Sequence, residues 1–243
     1  MRDAKDKVRF LMPLSRELQF PAMAVLQTYV NEYDAKVYFT GMRAMGINLN
    51  LEYSVIMPEE DWQLFQDIGL ELKQQPVHSI AEADAEVDLT EDRLASYQWR
   101  TDQHVAQIYG QMIGVETKVL PKIRQLQPGQ QWFTVDGEIA VGLGLPEIDG
   151  DTLVRAVDGQ IGGIIGWASW VTYLACAQGL PVIEIKPSGR SPNYLSKWSH
   201  KQYRMIDGGS SLMPQLQSAL LDLETPCSTA VAEAITGRMQ MAR

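Results

Sequence analysis

The chain has 243 residues, 45% of them apolar and 21% charged, a globular composition that excludes disordered and collagen-like classes and allows one large domain or two small ones. Its net charge of −9 argues against general nucleic-acid binding, because neutralising a phosphate backbone takes a basic face. No apolar run approaches the roughly 18 residues of a membrane span, and MRDAKDKVRF has no apolar stretch behind its charges, so we expect no span and no signal peptide: a protein of the cytoplasm or of an intracellularly assembled particle.

Lys7 to Leu14 reads as a first strand and Leu18 to Glu32 as the helix after it, with Pro21 inside and apolar positions only loosely periodic. Ser15, Arg16 and Glu17 form the turn between them. Arg16 or Glu17 is placed to act chemically at the top of the strand; the alternative is a solvated helix start with Glu17 on its positive end. Lys36 to Gly41 and Leu51 to Met57 are further strands, and Pro58 to Gln74 is a helix with Pro58 at its first position and Glu59, Glu60 and Asp61 in its first turn. AEVDLT, residues 85–90, is another strand. The carboxylates Asp84, Asp88, Glu91 and Asp92 around it lack the spacing of a hard-metal loop. Arg100 to Val115 reads as a helix ending at Gly114, and Lys118 to Gln131, with Pro121, Pro128 and Gly129, is the expected domain boundary.

Trp132 to Leu145 is an apolar segment in which Gly142 and Gly144 read as a strand or turn feature, since no dinucleotide fingerprint follows them. The clearest stretch is Ile161 to Ile185. It predicts strand 161–165, a buried helix over 169–178 and strand 181–185, with Ser169 as N-cap, Gly179 just past the helix end and Pro181 blocking its continuation. Such a helix start, near Gly166 to Trp170, offers backbone N–H groups to an anion. Trp167 and Trp170 have a second available role, packing under a neighbouring loop. From Lys186 to Met205 the chain carries Lys186, Arg190, Lys197, Lys201 and Arg204, interleaved with Tyr194, Trp198 and Tyr203 and without one carboxylate. This suits a phosphate or acidic sugar, or a protein interface. YRMID, residues 203–207, predicts a last strand, and helices follow over 212–223 and 228–241. Cys176 and Cys227 are expected to be inert thiols, and His78, His104 and His200 are too scattered for a metal. We expect no metal and no cofactor.

Alternating strands and helices predict an α/β fold with parallel sheets. The register Gly166, Ala168, Ser169, Trp170, Tyr173, Ala175, Ala177, Gly179 and Pro181 resembles the Gly-x-Asp-Ser-Gly-x-x-His-x-Ala-x-Ala-x-Gly-x-Pro pattern of ADP-heptose heptosyltransferases and related GT-B glycosyltransferases, whose start holds the sugar-nucleotide pyrophosphate. Pro21 and the Gly114–Val115 turn also match that family. The resemblance implies Rossmann-like sheets in a GT-B-like arrangement, with an N-terminal domain over 1–125, a reduced C-terminal domain over 126–225 and a C-terminal helix over 226–243. It departs where the donor would touch. Ala168 stands for the Asp, Trp170 for the second Gly and Tyr173 for the His, while Ser15–Arg16–Glu17 stands where the family has Gly-Asp.

Two readings follow. One is an active glycosyltransferase holding a nucleotide sugar at Gly166, Ser169, Trp170, Tyr173, Lys186 and Arg190, with Glu17 or Glu184 as the base. Alternation along PVIEI gives Glu184 the other option of facing solvent. The second reading, which we favour, is a degenerate, noncatalytic relative acting as a structural or recognition component of an assembly, for example a virus particle. Its protein partner or second copy would be met at Tyr194, Lys197, Trp198, Lys201 and Arg204.

Overall fold

A computed structural model describes residues 8–33, 37–41, 53–70, 85–96, 103–117, 120–187, 202–209, 212–223 and 231–233. The chain divides into two compact units, Met1–Ile123 and Arg124–Arg243.

In the first unit, β1 (Val8–Leu11), β2 (Val37–Gly41), β3 (Tyr53–Met57) and β4 (Ala85–Asp88) form one sheet in the order β2-β3-β1-β4. All three pairings are parallel. The helix α1 (Arg16–Tyr33) follows β1. Phe20, Ala22, Met23, Ala24, Val25 and Leu26 are all buried, which explains its weak periodicity: a helix enclosed on most sides has no polar stripe to alternate with. The helix α2 (Glu59–Asp67) is shorter than the expected 58–74, and Pro58 is its N-cap rather than its first helical residue. It stops because Gly69 takes φ 75° and the Leu70 N–H turns back to the Phe65 carbonyl, a left-handed closure that glycine adopts without a Cβ clash. A short helix that the sequence did not announce, α3 (Glu91–Ser96), follows β4. The last helix of the unit, α4 (Val105–Ile113), begins five residues later than expected because His104 caps it, Nδ1 accepting the Ala106 N–H.

In the second unit, β5 (Trp132–Thr134), β6 (Gly163–Trp167), β7 (Val182–Pro187) and β8 (Tyr203–Gly208) form a sheet in chain order, again all parallel. The helix α7 (Trp170–Ala177) joins β6 to β7 with Ser169 as N-cap and Gly179 at φ 83°. The predicted βαβ unit is present, each strand shifted by one or two residues. Every residue from Val171 to Gln178 is buried. On the other face, α8 (Leu212–Asp222) sets Leu216, Ala219 and Leu220 against Ile183, Ile185 and Ile206. The segment read as a strand or turn around Gly142 and Gly144 is instead a helix, α5 (Gly137–Leu143), capped by Asp136 and closed by Gly144 at φ 63°. One more short helix, α6 (Gly150–Arg155), precedes β6. Of the expected helix over 228–241, the described residues 231–233 are helical.

Candidate functional site

Each sheet has two interior strands, and the βα turn after β1 in the first and after β6 in the second lies between the ends of two neighbouring strands. Parallel strands end at the same edge, so the three turns meet there. In the second unit β6 lies between β5 and β7. Its turn, Ala168–Ser169, lies between Val135, which follows β5, and Lys186 near the end of β7. This is where the resemblance places a pyrophosphate.

Two side chains approach glycines closely here. A Cβ on Gly166 would fall on the Val135 side chain, and one on Gly150 would fall on the indole of Trp170. The Trp170 indole therefore lies against the start of α6, and only a glycine allows so close an approach. Trp167 makes the same kind of contact with Gly208 on β8. One N–H of the first turn of α7 and that of its cap residue are engaged: the Thr172 N–H donates to Ser169 Oγ at 3.4 Å, and the Ser169 N–H to Thr172 Oγ1 at 3.0 Å. This reciprocal cap satisfies donors that an anion would otherwise take. Asp149, the α6 cap, accepts the Thr152 N–H at 2.7 Å. That bond holds its carboxyl below the ordinary Asp range, leaving a charged carboxylate next to Gly150.

Tyr173, in the position of the family's His, is fully buried. Glu184 is buried as well, with no exposed surface, so alternation does not turn it to solvent. It pairs in register with Gly166 of β6 and accepts a hydrogen bond from the Tyr203 hydroxyl at 3.1 Å. Burial, then the nearby Glu184 charge, pushes both the Tyr203 hydroxyl and the Cys176 thiol well above their ordinary values. Glu184 thus belongs to a buried cluster with Tyr203 and Cys176. Lys186 is half-buried at the end of β7. Arg204 donates to the Tyr203 and Asp222 carbonyls at 2.9 and 2.8 Å, tying β8 to α8. Arg190, Tyr194, Lys197, Trp198 and Lys201 lie outside the described residues.

In the first unit β1 is an interior strand, between β3 and β4. Its turn is also closed from within. Glu91, opening α3, accepts the Leu14 N–H at 3.2 Å and the Ser15 N–H at 2.6 Å. Glu17 accepts from the Ser15 hydroxyl at 2.8 Å. Arg16 Nε and Gln19 Nε2 each donate at 2.8 Å to the buried carboxylate of Asp61, in the first turn of α2. The sequence reading put Asp61 and Glu91 in a helix turn and an acidic loop and missed that they converge here. The available signal was topological: both stand three to four residues past strands that flank β1. Among the described residues no cluster of His, Cys, Asp or Glu could hold a metal ion, and no helix is long and apolar enough to cross a membrane.

No protein-family model matches the sequence, and no curated protein matches it. Solved structures do match in fold. E. coli heptosyltransferase WaaC with ADP superposes with a TM-score of 0.50 at 10% identity, over 95% of this chain and 99% of that one. The dodecameric iron-containing heptosyltransferase TibC, in complex with ADP-D-beta-D-heptose, gives 0.49 at 11% identity over 99% and 78%. A family 9 glycosyl transferase from Veillonella parvula gives 0.48 at 8% over 98% and 96%. The likeness to WaaC shows the fold: Rossmann-like parallel α/β units, as in that heptosyltransferase. The second domain is reduced, with the two short helices α5 and α6 between β5 and β6 in place of the several βα units that the resemblance implies.

Proposed function

We propose that this chain is a noncatalytic descendant of the glycosyltransferase fold, serving as a structural or recognition component of a larger assembly such as a virus particle. The observation that carries this reading is the closure of the α7 mouth by Val135 on Gly166 and Trp170 on Gly150. WaaC, the structural neighbour of the same fold, binds ADP, and a diphosphate at this edge needs open backbone N–H groups and positive potential. Here the cap takes the Thr172 and Ser169 N–H groups. The electrostatics oppose it too, because Asp136, Glu138, Glu147, Asp149 and Asp151 lie between Arg124 and Arg155 with no cation among them.

The competing reading, an active glycosyltransferase moving a sugar from a nucleotide sugar to a glycan or other acceptor, draws on the intact βαβ scaffold and on Lys186. One titration separates the two. A donor that binds the native state raises its stability by about 2.7 kcal/mol at a hundred times its dissociation constant. We expect ADP-, UDP- and GDP-linked sugars at millimolar concentration to leave the melting temperature unchanged, and calorimetric binding in the micromolar range would overturn the proposal.

A further inference from the structure

The second unit carries two charge runs of equal size and opposite sign. Residues 125–154 hold five carboxylates and no cation, and residues 185–204, Glu184 being just outside, hold five cations and no carboxylate. They attach to different strands of one sheet. The acidic run includes α5 and α6, which follow the edge strand β5, while the basic run, of which residues 188–201 lie outside the described residues, connects β7 in sequence to the other edge strand, β8. Three strand spacings, about 14 Å, separate those edges. On the acidic side α5 presents an unusual surface: Val141 is 85% exposed, with Glu138 on the same helix and Pro146 and Glu147 just after it also exposed. An exposed aliphatic group framed by carboxylates suits a basic segment with large aromatic side chains.

We propose that the α5 face is a docking surface for a second copy of this chain, occupied by the partner's Lys186–Arg204 segment. Charge complementarity selects the occupant, and Val141 supplies the apolar contact on which an aromatic of that segment rests. Because the face and the segment are different parts of the chain, the contact either pairs two copies reciprocally or runs head-to-tail, and head-to-tail contacts close into rings or continue as filaments. The inference rests on the assembly reading above and names the surface through which assembly proceeds.

Sedimentation velocity on the full chain tests it. At about 100 µM in low salt the wild type is expected to self-associate, and about 500 mM salt should reverse this as screening shortens the electrostatic range. The pair Glu138→Lys and Glu147→Lys, both exposed and neither a helix cap, should weaken association at least about tenfold. Lys197→Glu with Lys201→Glu should do the same. Mixing the two variants should restore a one-to-one complex, because one intact acidic face then meets one intact basic segment, or two reversed ones. A monomeric wild type overturns the proposal, as does association that either reversal leaves intact. A monomer that also binds no nucleotide sugar removes this surface alone; micromolar donor binding removes the noncatalytic reading whatever the oligomeric state.

Discussion

The βα turn after β1 and the one after β6 occupy equivalent places, each beyond an interior strand of a four-stranded parallel sheet, yet they are closed by different means. At the first, charge does the filling. Glu91 takes the Leu14 and Ser15 N–H groups, and Asp61 holds Arg16 and Gln19. At the second, volume does: Val135 and Trp170 press on glycines while a hydroxyl cap satisfies the helix. Carboxylates imitate the anion that a helix start attracts, whereas an indole excludes it. The first closure should therefore respond to charge-removing substitutions and the second to changes in size.

The largest effect is expected at Asp61. Asp61→Ala leaves the Arg16 and Gln19 donors without their acceptor in a buried place and should cost about 2–4 kcal/mol in denaturant unfolding. Asp61→Asn, which keeps one acceptor, should cost less. A loss no greater for alanine than for asparagine would show that the carboxylate does not organise the turn. In the second unit, Gly150→Ala drives a methyl into the Trp170 ring and should cost about 1–3 kcal/mol. The double variant with Trp170→Ala should recover part of that. A double-mutant cycle without coupling would mean the two groups do not touch.

The third prediction concerns pH. Burial lowers the pKa of His104 to about 3, and its Nδ1 accepts the Ala106 N–H, so the folded state holds a neutral imidazole. The unfolded chain, titrating near 6.5, binds the proton first, so the native contribution is complete above about pH 6.5 and is lost as pH falls toward 3, at up to about 1.4 kcal/mol per unit. His104→Asn keeps a cap but not the titration, and its stability should be flatter over that window. Identical slopes would remove His104 as the cause. The smallest effect is at Glu91, where alanine returns two N–H groups to solvent in a partly exposed turn and should cost about 1 kcal/mol. Glu91→Gln should lose less, and equal losses would assign the effect to charge alone.

Much of the scaffold was legible because it rests on local rules. Ser169, Gly179 and Pro181 mark the ends of α7 through cap chemistry and allowed φ, and the β-branched run before Lys186 is a strand whatever surrounds it. Legibility failed where local rules compete. Gly142 and Gly144 looked like strand or turn glycines because α5 has only seven residues, too short for a visible 3.6-residue period, and its cap Asp136 was the one usable signal. Alternation left open a solvent-facing Glu184, but a strand covered on both faces buries both sets of side chains.

The sequence by itself determined a parallel α/β chain, the βαβ unit at its centre, and the loss of the Asp, Gly and His that mark a donor site in the fold it resembles, because each depends on residue type and spacing along a few turns. Only the tertiary structure decided what fills the space those residues left. Val135 reaches Gly166, Trp170 reaches Gly150, and Glu91 reaches Ser15 across as many as 76 positions of chain. Such contacts are set by strand order and by the shared edge of parallel strands, and no local propensity encodes either.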